Sequence, residues 1–168
     1  MGQLILLGGS PGTGKTTIAR AFASKFDNWD VVEVDEIKVE RHGTAAQSDR
    51  DDFSEAGRRS RTILDGGRSV ILVEFFNREE LVAASLEPTG LAIGSAAVFS
   101  CWLSCHVDEA VRRKRGSLDE SVVRGAHAAA AARQAHPHEV VIDTTSSTAV
   151  EVAGRMVESL ASRGLRLI

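Results

Sequence analysis

Apolar residues in this chain follow two alternating rhythms. Short, mainly apolar runs occur at residues 3–7, 31–34, 70–73, 96–104 and 140–142. Runs this short, bounded by Gly, Asp or Ser, read as buried strands. Between them, apolar positions recur every three or four residues. Ile18, Phe22 and Phe26 with Ala19 and Ala23 make one helical stripe. Phe53, Ala56, Ser60, Ile63 and Leu64 make a second, stopped by Gly66 and Gly67, and Val150, Ala153, Val157 and Leu160 a third. Residues 36–41, 78–86 and 108–115 have weaker helical patterns, and 119–134 is helical by its alanine content. Residues 28–30 read as a turn, 88–94 as a connection, and the polar stretch 43–52 as a mobile loop.

Strands that alternate with helices predict an α/β fold: a three-layer sandwich around a five-stranded parallel sheet, in one domain over 1–168. In such sheets ligands bind outside the carboxyl ends of the strands. That rule gathers Asp35, Glu74, Phe75, Phe76, Ser104 and Asp143 on one edge.

The same edge carries the most specific pattern in the chain. After the first apolar run comes GGSPGTGKTT, Gly8 to Thr17. Gly9, four residues, then Gly14, Lys15 and Thr16 is the spacing of a phosphate loop. Glycines let successive backbone N–H groups turn into one concavity, and the following helix adds its own free N–H groups. Gly9, Ser10, Pro11, Gly12, Thr13 and Gly14 are the expected cradle, Lys15 the cation on the phosphates, and Thr16 a ligand for Mg²⁺. Thr17 is placed near the α-phosphate. A strand before and a helix after are the context this motif requires, so ATP and Mg²⁺ are the expected ligands.

Composition removes some classes of function. The net charge of −3 gives no broad basic surface for nucleic acid. No apolar run is long enough to span a bilayer, and the amino end shows no signal-peptide pattern, so a cytoplasmic location is expected. Cys101 and Cys105 lie in one apolar run and read as small core residues. His136-Pro137-His138 lacks the further ligands that a zinc site would need.

Several groups at the strand ends suit phosphoryl transfer. Asp35 is a candidate base for an acceptor hydroxyl, or else a helix cap. Glu74, after four apolar residues, is a candidate Mg²⁺-organising carboxylate, or else half of an ion pair. Arg112, Arg113 and Arg115 are candidates for the nucleotide and for the charge that develops on its terminal phosphate, with Arg115 given the catalytic place. Arg133 is a weaker candidate from the same side. Asp143 and Thr144, ending the fifth strand, join the nucleotide set. Arg41, Phe75 and Asn77 are placed beside Asp35 as acceptor contacts.

These segments resemble the small-molecule kinases of the phosphate-loop superfamily, the group of adenylate, shikimate and gluconate kinases, and most nearly the chloramphenicol phosphotransferases. GGSPGTGKTTIARAF is similar to the start of that family. VVEVDEI resembles its second strand and VDEAVRRKRG the helix that leads into its lid, here 112–127. VRGAHAAAAARQAHPHEVVIDTTSSTAVEVAGRM is similar to its last helix, strand and helix. The resemblance implies a sheet order of 2-3-1-4-5, lid arginines on the nucleotide, and Asp35 acting on a hydroxyl of a small molecule, such as an antibiotic or other natural product. Residues 41–61 and 75–94 do not follow the family; the resemblance implies that acceptor selection lies there, so the acceptor stays open. Two other readings stay open: a nucleotide kinase using Arg41 or Arg58, and an ATP-binding switch that transfers nothing. No NKxD motif supports a GTPase, and 168 residues leave little room for the second domain of an AAA-type motor.

Overall fold

The structure is a computed structural model that describes residues 2–45 and 49–167. Part of the predicted 43–52 loop therefore lies outside the described residues. Five strands form a parallel sheet: β1 (Leu4–Gly9), β2 (Trp29–Glu33), β3 (Ser69–Val73), β4 (Val98–Ser104) and β5 (Val140–Asp143), in the order β2-β3-β1-β4-β5. Every pairing is parallel. The predicted class and strand order are both present. Among the described residues, no helix is long and apolar enough to cross a membrane.

Each sheet face buries its own core, because side chains alternate along every strand. On one face Ile5, Leu7, Ile71, Val73, Cys101 and Leu103 pack against α1 (Lys15–Ala23) and α7 (Ala149–Ala161), through Ile18 and Phe22 from the first and Met156 and Leu160 from the second. On the other, Leu4, Leu6, Val70 and Leu72 meet α2 (Val34–His42), α3 (Arg50–Asp65) and α4 (Glu79–Leu86), through Ile37, Phe53, Ala56 and Leu81. The remaining helices, α5 (Val107–Lys114) and α6 (Glu120–Ala132), follow β4. Asp49 caps α3 and Thr148 caps α7, each through a reciprocal capping box that satisfies helix N–H groups.

Four expectations need correction. Trp29 and Asp30 belong to β2, not to a turn, since Trp29 pairs with Ser69 and packs its ring edge-on against Phe22. β2 therefore ends at Glu33, and Val34 opens α2. Val150 is 63% exposed; Val152 takes its place in the core beside Ala153. Phe76 is buried against the α2–α4 core, in ring contact with Phe53, and is not an edge residue.

Candidate active site

The phosphate loop lies between the end of β1 and the start of α1. Gly12 and Gly14 have φ of +86° and +85°, which side-chain-bearing residues adopt only at a cost. Gly12 carries a second constraint. A Cβ there would lie 2.7–2.8 Å from the carbonyl, Cα and Cβ of Ala110 on α5. Helix α5 thus packs directly on the loop backbone. We expect Gly12→Ala to destabilise the fold by about 2–4 kcal/mol, from strain and overpacking together, measurable by chemical denaturation.

The loop is arranged for an anion. The backbone N–H groups of Gly14, Lys15 and Thr16 find no backbone acceptor among the described residues. Lys15 Nζ donates to the carbonyls of Gly9 at 2.7 Å and Ser10 at 3.3 Å, so its charge has only neutral partners. Burial pushes the ammonium down to about 8, with Glu74 and Asp35 pulling the other way and Lys114 adding to the fall. Thr13 Oγ1 donates to Ser10 O at 2.8 Å and holds the turn, and His127 on α6 touches the Pro11 carbonyl at 3.2 Å.

The low Lys15 value has a testable sign. Between about 8 and 10.5 the folded protein holds fewer protons on this group than the unfolded chain. Its burial cost is complete below that window and fades as pH rises through it. In nucleotide-free protein with a chelator, Lys15→Met should be the more stable form at neutral pH. The gap between variant and parent should close towards pH ~10 in denaturation curves.

A cavity of about 950 Å³ opens beside the loop. One wall is Gly12, Gly14, Lys15, Thr16 and Thr17; the facing wall includes Glu33, Asp35, Lys38, Glu74 and Phe75. Asp35 sits in the first turn of α2, not at the end of β2, and makes no cap bond there. Its side chain is 62% exposed, and Oδ1 accepts from Lys38 Nζ at 3.0 Å. Lys38 also donates to Glu74 Oε2 at 3.0 Å and is buried. Burial works to lower the Lys38 ammonium, but the Glu74 and Asp35 carboxylates outweigh it and the value rises. Glu74 is held above the usual carboxylate range by its own burial and then by the nearby Asp35 charge.

Sequence reasoning missed Glu33 and Lys38. Thr16 Oγ1 donates to Glu33 Oε2 at 2.6 Å, and Arg20 holds the other Glu33 oxygen at 2.8 Å. The signal was present: Glu33 is the true strand-end carboxylate once Val34 is given to α2. Lys38 lies three residues after Asp35, one helical turn on.

The arginines differ most from expectation. Arg112 spends Nε and Nη2 on Glu109 at 2.7 and 2.6 Å and faces solvent. Arg113 donates to Glu109, to Thr144 Oγ1 and to the carbonyls of Gly12, Thr144 and Thr145. It lines the cavity, yet it ties α5 to the phosphate loop and to the end of β5. Arg115 is exposed at the helix end and outside the cavity lining. Arg133 is buried beneath Trp102, 3.5 Å from the ring centroid, and paired with Glu139. Asp143 holds the Thr145 backbone N–H at 2.9 Å and does not line the cavity; Thr144 is buried and donates to Ser104 O. Arg41 pairs with Asp52 at 3.4 Å, and neither Arg41 nor Asn77 lines the cavity. Phe75 does, backed by the Trp102 ring.

Comparison with known proteins agrees with this architecture. Residues 5–74, from β1 to Glu74, match the model of the ATPase family associated with various cellular activities (AAA). No curated protein matches the sequence. Solved structures match over nearly the whole chain. A tunicamycin resistance protein of Deinococcus radiodurans is similar at 18% identity and a TM-score of 0.70, with 99% of this chain and 98% of that one covered. An unliganded sugar kinase of Janibacter sp. aligns at 16% identity and 0.69, over 99% and 100%. The Mycobacterium tuberculosis APS kinase in complex with AMPPNP and APS aligns at 16% and 0.64, over 95% and 98%. With its 2-3-1-4-5 sheet and its phosphate loop, the chain has the fold of the phosphate-loop small-molecule kinases.

Proposed function

We propose that this protein is an ATP-dependent phosphotransferase that moves the γ-phosphoryl group to a hydroxyl of a small molecule. One observation carries the reading: a single cavity has the phosphate loop as one wall and Asp35, Glu74 and Phe75 on the other. Transfer then needs no group from elsewhere in the fold. The acceptor oxygen bonds to the γ-phosphorus, the bond from that phosphorus to the β-bridging oxygen breaks, and ADP leaves. The acceptor proton passes to Asp35. Lys38 takes only Oδ1 of that carboxylate, which orients it, while Oδ2 has no protein donor among the described residues.

Thr16, with Glu33 and Glu74 in the same cavity, is a set of hard oxygen donors that suits Mg²⁺. The ion, when bound, supplies charge neutralisation at the phosphate oxygens. Glu33 already orients the Thr16 hydroxyl. Glu74, tied to Lys38, couples that side of the cavity to Asp35.

A nucleoside monophosphate acceptor is the weaker reading. Arg41 is paired with Asp52 and Arg58 with Glu55, and neither lines the cavity. The guanidinium forks that would hold a second phosphate are therefore spent elsewhere. The test is ADP release from Mg·ATP with panels of neutral hydroxyl compounds and nucleoside monophosphates. The reading expects release above the rate in water only with a neutral member. Stimulation by a monophosphate alone would favour a nucleotide kinase.

A further inference from the structure

We infer that Lys114, and not an arginine of the same segment, is the cation that stabilises charge on the phosphoryl group in flight. The inference rests on the phosphotransferase reading above and assigns a catalytic residue within it.

The first ground is an inventory of positive charge. Four cationic residues follow one another, Arg112 to Arg115. Arg112 is spent on Glu109, by two bonds, and lies in solvent. Arg113 is spent on one carboxylate, three carbonyls and a hydroxyl, which uses Nε, Nη1 and Nη2 alike. Arg115 stands outside the cavity lining. Lys114 lines the cavity, is only partly exposed, and has no hydrogen-bond or ion-pair partner for Nζ among the described residues. On the acceptor wall Lys38 is already held by Asp35 and Glu74. Lys15 and Lys114 are thus the two lysines of the cavity that no carboxylate has claimed. Both sit on elements that touch the phosphate loop.

The second ground is rigidity. A catalytic charge is worth most when it is held in place before the reaction, so that nothing need reorganise during it. Helix α5 is fixed to the loop at two points. Ala110 fills the space where a Gly12 side chain would be, and Arg113 bonds the Gly12, Thr144 and Thr145 carbonyls. Lys114 is the last residue of that clamped helix. Arg115, the C-cap, has already left helical geometry at φ −54°, ψ 127° and opens the turn beyond the clamp. The position of Lys114 is therefore set by the phosphate loop itself, whereas that of Arg115 depends on a connecting turn.

An experiment that needs no knowledge of the acceptor decides the matter. Binding of Mg·ADP, alone and with fluoroaluminate as mimic of the transferring phosphoryl, is measured by calorimetry for the parent protein and for Lys114→Met, Lys114→Arg, Arg112→Met and Arg115→Met. The parent should bind Mg·ADP more tightly with fluoroaluminate present. Lys114→Met should lose about 10²-fold of that added affinity while its affinity for Mg·ADP alone changes by less than about threefold. Lys114→Arg should restore most of it, and the other two variants should match the parent. Undiminished fluoroaluminate binding in Lys114→Met, or a loss that follows Arg115→Met instead, overturns the inference. A parent that binds Mg·ADP but gains nothing from fluoroaluminate counts against the phosphotransferase reading instead, and the two failures are thereby told apart.

Discussion

Lys15→Ala should lower the rate of phosphoryl transfer by about 10³-fold, the largest effect of any single substitution in this chain. The ammonium lies within the curl of the loop, 2.7 Å from the Gly9 carbonyl and 3.3 Å from that of Ser10. Those neutral partners do not repay its burial, which is why its proton is held weakly. A polyphosphate repays it, since a buried cation gains most from an opposite charge brought close. Alanine removes the charge and leaves the loop backbone with its N–H groups in place. Nucleotide affinity should therefore fall less than turnover. The two are separated by measuring Kd calorimetrically and kcat by ADP release. An alanine variant with parental turnover would place the chemistry elsewhere.

Asp35→Asn should have the second largest effect, confined to the transfer step. The amide keeps the size of the carboxylate but has lost its power to take a proton. Transfer should fall by about 10²-fold while Mg·ATP binds as in the parent. The side chain is 62% exposed, and its one bond is to Lys38, so the fold loses little. Lys38 keeps Glu74 as a partner in the variant. Equal transfer rates in parent and variant would remove Asp35 from the mechanism and leave Glu33 and Glu74 as the remaining carboxylates of that wall.

What could be read from the sequence depended on how local each signal was. The phosphate loop was legible because its glycines and Lys15 act within ten residues of chain. The five strands were legible as apolar runs, since strands buried on both faces do not alternate. The boundary of β2 was not. Val31, Val32 and Val34 look like one run broken by Glu33, and propensity alone does not say that Val34 has become helical. That single residue moved Asp35 from a strand end to a helix turn, and hid both the Thr16–Glu33 bond and the Asp35–Lys38 pair. The same limit explains Val150. Two positions on a helix turn a side chain by about 200°, so Val150 and Val152 face nearly opposite sides. The fate of Arg113 was not legible at all. It depends on carbonyls about 30 residues later for Thr144 and about 100 residues earlier for Gly12, which only the folded chain brings to Arg113.

The proposed transfer depends on one turn of backbone binding a triphosphate. The direct measurement is a calorimetric titration of Mg·ATP into the folded protein, beside the Lys15→Ala variant. Saturable binding at one site per chain, weakened in the variant, is the predicted result. The absence of saturable binding to the parent, or binding that is indifferent to Lys15, would contradict it.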